Sequence, residues 1–119
     1  PIYAWIEALT SGSASSVGMR YNSAVWLECR QNAVRFLEEA RDRLPDRATE
    51  GLDASIRHYA AVAANLGVVA QIYPWLCGNE HDEAIRVDEK SHAGVEALLK
   101  AREAETAGLR AIREVAAAL

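Results

Sequence analysis

The sequence predicts an all-α fold, an antiparallel up-down helical bundle of three long helices with one or two short ones. Apolar residues recur at steps of three and four along most of the chain, which is the spacing of amphipathic helices. No segment shows the alternation typical of a strand. Short connections favour antiparallel neighbours. The 119 residues contain no long linker, so residues 1–119 are expected to form a single domain.

Residues 1–19 are expected to hold a short helix, "PIYAWIEAL", and then a flexible Ser/Gly loop. The first long helix is predicted at about 20–44, because Pro45 cannot continue it. Its apolar or small residues form one stripe expected to face the core, made of Trp26, Cys29, Ala33, Phe36, Leu37, Ala40 and Leu44.

The second long helix is predicted at about 49–73, from a possible cap at Thr49 to the break at Pro74. Within "AAVAANLGVVAQI", residues 60–72, only Asn65 and Gln71 carry polar side chains. A helix that is apolar nearly all round is buried on several sides. We therefore expect it to be the central helix, covered further by a second copy of the chain in a homodimer.

The third long helix is predicted at about 89–118, after a turn region and a possible short helical piece within 80–87. Asp88 is the expected N-cap. The side expected to be buried carries Val95, Leu98, Leu99, Leu109, Ile112 and Ala116.

Composition excludes several classes of function. The net charge of -4 argues against nucleic-acid binding, which uses a basic face. No run of 18 apolar residues exists, so no membrane span is expected. Cys29 and Cys77 make no disulfide framework and are interpreted as free thiols in a reducing cytoplasm. No nucleophile elbow, phosphate-binding glycine loop or zinc-type cysteine pair occurs, which favours a non-enzymatic soluble protein.

A candidate ligand site lies on the second long helix. His58 and Asn65 are seven residues apart and share one face of an otherwise apolar helix. A few polar groups among apolar walls are typical of a pocket, and Tyr59 and Trp26 could supply aromatic walls. Trp75, in a turn after Pro74, is a further candidate. The alternative is that His58 and Asn65 are hydrogen-bonded core residues.

A candidate metal site lies at the start of the third long helix. Glu89 and His92 form a Glu-x-x-His motif, which di-metal carboxylate bundles use in pairs. His92 lies one turn before Val95, so it is expected on the side of the helix that turns inward. The chain has one motif, so a divalent metal would require a homodimer to complete the site. The alternative interpretation is an acid favoured by the helix dipole and an ordinary histidine. No other cofactor is predicted.

Several stretches carry a family resemblance: "YAWIEAL" at 3–9, "YNSAVWLECRQNAVRFLEEA" at 21–40, "HYAAVAANL" at 58–66, "YPW" at 73–75 and "VDEKSHAGVEALLKAREAETAGLRAI" at 87–112. They resemble the helical C-terminal region of bacterial proteins with a papain-like, butirosin-biosynthesis-type cysteine N-terminal domain. In that family the nucleophilic cysteine belongs to the N-terminal domain, which these residues do not include, so the resemblance implies no catalytic residue here. It implies a helical accessory module.

The leading functional hypothesis is a module that binds a small apolar or amphipathic ligand, or a partner protein. The alternatives are the metal site completed by homodimerisation and an assembly module of a larger enzyme.

Overall fold

The fold is described from a computed structural model, which covers residues 1–76 and 81–119. Within these residues there are four α-helices and no β-strand, which confirms the all-α prediction. The elements are α1 (Ile2–Ser11), α2 (Ser16–Arg43), a 3-10 turn (Asp46–Ala48), α3 (Thr49–Ile72) and α4 (Glu89–Ala118).

Helix α3 lies in the centre of the molecule. It packs against α2 on one side and α4 on another, while α1 packs against α4. Gly51, near the start of α3, contacts Val115, near the end of α4, and the Tyr59 ring lies against Gly108. These pairs show that α3 and α4 run in opposite directions. The homodimer was predicted because three helices leave the apolar α3 only partly covered. Helices α2 and α4 cover two of its sides, and the homodimer stays a prediction.

Helix α4 contacts the core through small side chains, which corrects the predicted buried side. Leu98 is fully buried, but Leu99 and Leu109 are 49% and 44% exposed, and Ala116 is also exposed. The buried residues of α4 are Ser91, Gly94, Ala97, Leu98, Ala101, Gly108, Ala111 and Val115. Small residues let two helices approach closely, and the large rings of α3 fill the space above them. The prediction was therefore right for Leu98, which is buried, and for Val95 and Ile112, which pack against the core, and wrong for the three exposed residues.

The predicted stripe on α2 is also partly wrong. Phe36 is 70% exposed and Cys29 is exposed, whereas Leu37 is buried at 6%. Because α2 packs mainly against α3, it buries a narrower stripe than a helix surrounded by neighbours. The buried residues of α2 are Ser16, Met19, Ser23 and Leu37.

Two segments differ from the predicted connections. Helix α2 begins at Ser16 rather than near residue 20, so the loop after α1 is short. Gly12 ends α1 in the left-handed conformation, with φ of 76°, which glycine adopts without strain. The short helix expected within 80–87 is absent from residues 81–88, which contain one bridge residue, Ala84, and a bend at Val87 and Asp88. Cys77, predicted to be a free thiol, lies outside the described residues.

The core consists of two clusters at opposite ends of the helices. The larger one surrounds Leu9, Leu66 and Leu98, which have no exposed surface. The smaller one includes Leu37 and Leu52 and lies near the turn between α2 and α3. The described molecule is elongated, with extents of 50 × 27 × 18 Å, so many helical residues stay half-buried.

Candidate functional site

Residues 82–88, named here the strap, fold back onto the corner between α1 and α2. The backbone N–H of Ser16 donates to the carbonyl of Glu83 at 2.9 Å, and that of Ile85 donates to the carbonyl of Ala14 at 2.9 Å. These two bonds form an isolated antiparallel bridge. The strap is therefore attached to the start of α2 by backbone hydrogen bonds.

The Asp82 carboxylate adds a second attachment. Its Oδ1 accepts hydrogen bonds from the Ser15 hydroxyl at 2.8 Å and from the Val17 backbone N–H at 3.2 Å. These donors, the Ser15 hydroxyl first, lower the pKa of Asp82 below its ordinary value. The negative charge also lies at the positive end of the α2 dipole. Asp82 thus holds the strap against the first turn of α2.

A polar cavity of about 350 Å³ lies between the strap, the first turns of α2 and the end of α3. Its volume is within the range of small-molecule sites, about 300 to 1,000 Å³. Its walls are formed by Ser16, Arg20, Tyr73, Glu83, Ala84, Ile85, Arg86 and Asp88. More than half of these residues belong to the strap, so the docked strap creates the cavity.

Two residues of the cavity walls each carry a polar atom that is buried without a hydrogen-bond partner among the described residues. These atoms are Nη1 of Arg20 and the hydroxyl of Tyr73. A buried polar group without a partner costs about 1–3 kcal/mol, so most such groups in native proteins have one. Tyr73 is only 8% exposed, and Gly94 of α4 lies against its ring. Both atoms belong to groups that can donate a hydrogen bond.

The pKa of Tyr73 is raised above its ordinary value, first by burial and then by the negative charge of Asp88. The phenol therefore stays protonated across the neutral range. It can donate one hydrogen bond and accept others. Asp88 itself caps α4, since its Oδ1 accepts from the Ser91 backbone N–H at 3.0 Å. This cap was the one expected from the sequence.

The predicted ligand residues do not form a single site. Trp26 is half-buried, with Trp5 edge-on at 5.5 Å between ring centroids. The Arg30 guanidinium lies 4.5 Å above the Trp26 ring and forms an ion pair with Glu105 of α4. Tyr59 is buried nearby, and burial and then the Glu105 charge raise its pKa. Trp26 and Tyr59 therefore meet around an ion pair.

Of the other predicted ligand residues, His58 lies next to Tyr59, whereas Asn65 and Trp75 make their contacts elsewhere. The Asn65 amide donates to the Ala61 carbonyl at 2.9 Å and is roughly 9 Å along α3 from Tyr59. His58 is half-buried beside Gly108. Trp75 is 41% exposed and packs edge-on against Tyr21, with 5.4 Å between ring centroids.

Glu89 and His92 are both exposed at the start of α4. His92 was expected on the side that turns inward, and this expectation is wrong, because the buried face of that turn is occupied by Ser91 and Gly94. Among the described residues no group of three potential metal ligands occurs. A metal at Glu89 and His92 would still need ligands from outside the described chain.

A larger concavity, of about 480 Å³, lies on the outer face of α4 beside Leu99, Arg102 and Arg110. It is an open groove along one helix and includes neither of the unpartnered atoms. The cavity under the strap is smaller, but its buried donors make it the stronger candidate.

The sequence interpretation missed Arg20, Tyr73 and the strap. Arg20 and Tyr73 are 53 positions apart by their residue numbers, and no local spacing connects them. The only signal in the sequence that could have indicated the strap was the composition of the segment just before the Asp88 cap.

None of the described helices is long and apolar enough to cross a membrane. No protein-family model, no curated protein and no solved structure matches the chain.

Proposed function

We propose that this chain is a non-enzymatic helical module that binds a small anionic molecule in the cavity under the strap. The observation that carries the proposal is the pair of buried donors, Arg20 Nη1 and the Tyr73 hydroxyl, which have no partner among the described residues. This site replaces the groove around Trp26, His58, Tyr59 and Asn65 that the sequence suggested.

The chemistry of the two donors favours an oxyanion. A guanidinium presents several N–H groups in a planar fork that matches a carboxylate or a phosphate. The neutral phenol of Tyr73 can add one further donor to the same oxygen atoms. Because both donors are withdrawn from water, a charged ligand would meet less screening there than at the surface.

The proposed architecture is an up-down bundle of α2, α3 and α4 in one domain, in which α2 and the strap form the entrance. A rigid helical frame keeps Arg20 and Tyr73 at fixed separation and so reduces the ordering cost of binding. A role as an accessory module, as the resemblance to the butirosin-type proteins implies, is compatible with a binding site of this kind.

The experiment is an NMR titration of the full chain with sodium acetate and with inorganic phosphate as probes. We expect backbone amide shifts that concentrate at residues 16–20 and 82–88. Arg20→Gln should weaken the affinity for the bound probe about tenfold or more, since a hydrogen-bonded charge is lost. Arg57→Gln, an exposed arginine on α3, is the matched control and should leave the affinity unchanged. Equal affinity for the two variants would refute the proposal.

A second candidate function is assembly, with a homodimer or a partner protein on an apolar surface. Tyr21, Trp75 and Leu76 are each about half exposed near the ends of α2 and α3. Clustered exposed aromatic residues are typical of interfaces. Light scattering of the wild type and of Trp75→Ser tests this function: a dimer that the substitution dissociates would support it, and a monomeric wild type would exclude the homodimer.

A further inference from the structure

The walls of the strap cavity carry charges of both signs. Arg20 and Arg86 supply positive charge, and Glu83 and Asp88 supply negative charge. The ion pairs within the described residues involve other side chains. These four charges are therefore not neutralised by one another in direct contacts.

Arg20 and Asp88 reach the cavity from different elements, Arg20 from α2 and Asp88 from the end of the strap. The positive buried atom is Nη1 of Arg20, on the second turn of α2. Asp88 lines the same cavity from the last position of the strap, where it is also the N-cap of α4. One carboxylate oxygen of Asp88 caps α4, and the second carboxylate oxygen makes no hydrogen bond with a described residue. A simple anion bound at Arg20 would face this uncompensated negative charge.

We propose that the ligand is dipolar, with an oxyanion held by Arg20 and an ammonium group held by Asp88, as in a free amino acid. This inference rests on the proposed anion-binding function and names the ligand class. An ammonium group has three donors, which suits the carboxylate oxygen of Asp88 that makes no hydrogen bond with a described residue. The cavity of about 350 Å³ accommodates a molecule of that size.

The dipolar class also explains why the site needs both signs. Specific sites reject wrong ligands through like charges as well as attracting the right one through opposite charges. Asp88 and Glu83 would repel a bare carboxylate, and Arg20 would repel a bare amine. Only a molecule that presents both groups satisfies both charges.

The test measures affinities by calorimetry for the wild type and for Asp88→Asn. The probes are the standard amino acids, acetate as an anion alone, and methylammonium as a cation alone. For the wild type, at least one amino acid should bind about tenfold or more tightly than either single-charge probe. In Asp88→Asn that amino acid should bind about tenfold more weakly, while acetate should bind more tightly because a repulsion is removed.

Asparagine is as good an N-cap as aspartate, so α4 should keep its start in this variant. Asp46→Asn, an exposed acid in the 3-10 turn, is the matched control and should change neither affinity. If acetate binds the wild type as tightly as every amino acid, the dipolar class is wrong and the anion site stands. If no probe, including phosphate, binds under the strap, both proposals are wrong. A loss of acetate binding in Asp88→Asn would also overturn the dipolar assignment.

Discussion

Replacing Tyr73 by phenylalanine should make the unliganded protein more stable while it weakens ligand binding. The hydroxyl of Tyr73 is buried without a partner among residues 1–76 and 81–119, and the side chain as a whole is 8% exposed. Phenylalanine keeps the ring, its contact with Gly94 and nearly all of the buried apolar surface. The substitution therefore removes a desolvated polar group and little else.

The magnitude follows from the cost of burying an unsatisfied hydroxyl, about 1–3 kcal/mol. We expect Tyr73→Phe to raise the free energy of unfolding by about 1 kcal/mol, because local relaxation recovers part of that cost. For a domain of this size the melting temperature should rise by about 4 °C. The raised pKa of Tyr73 means that the phenol is neutral at pH 7, so no charge change contributes.

Urea unfolding followed by circular dichroism measures the effect, and Tyr59→Phe is the control. Tyr59 is as buried as Tyr73, at 7% and 8% exposed, but its hydroxyl is not among the buried unpartnered atoms. Its replacement should change stability by less than about 0.5 kcal/mol. If Tyr73→Phe is instead destabilising by 1 kcal/mol or more, the hydroxyl has a partner within the protein, and it is not waiting for a ligand.

Three further predictions test the packing and the strap. Gly108→Ala should destabilise the protein by about 1–2 kcal/mol relative to Gly67→Ala. A Cβ at Gly108 would lie 2.7 Å from the Tyr59 ring, whereas the atom nearest to a Cβ at Gly67 is 4.0 Å away. Urea unfolding of both variants measures the difference, and equal stabilities would contradict the α3–α4 register. Phe36→Ser should change the free energy of unfolding by less than about 0.5 kcal/mol because Phe36 is exposed, while Leu37→Ala should lower it by about 2–5 kcal/mol because Leu37 is buried. Thermal melts measure both, and similar losses for the two variants would show that Phe36 is buried after all. Because the pKa of Asp82 is lowered in the folded protein, its charge stabilises the docked strap at any pH above the unfolded-state pKa of 3.8. This stabilisation is lost as the pH falls through the lower folded pKa. Opening of the strap, measured by amide exchange corrected for the intrinsic effect of pH, should therefore increase in acid for the wild type and not for Asp82→Asn.

The positions of helices were predictable because local signals fix them. Pro45 and Pro74 stop α2 and α3, and Asp88 begins α4 with a capping side chain. The start of α2 was not predictable in the same way, because the first turn of α2 is capped by both Ser15 and Asp82. Asp82 is 67 residues away from Ser15 along the chain. A contact of that range leaves no trace in the local spacing.

The buried faces were harder to predict than the helices. Large apolar residues at helical spacing suggested that Phe36 and Leu99 face the core, and both are exposed. The actual contacts of α4 use glycine, alanine and serine opposite Tyr59 and Tyr73. Hydrophobic periodicity weights residues by size, whereas close helix packing selects the small ones. Large and small residues must be considered together to find such a face.

The candidate site escaped prediction for a further reason: it exists only when the strap is docked. The strap supplies Glu83 and Asp88 to the cavity, while α2 and the end of α3 supply Arg20 and Tyr73.

A ligand that binds the docked state of the strap and not the open state must stabilise docking by its own binding free energy. At a ligand concentration of 100 times Kd this stabilisation is about 2.7 kcal/mol. Amide exchange at Ile85, whose N–H bonds the carbonyl of Ala14, should therefore slow by up to about 100-fold in saturating ligand. Exchange at the far end of α3 should slow much less, because those amides open independently of the strap. If ligand slowed exchange equally at both ends, it would be stabilising the whole fold, and the strap would not be the element that closes the site.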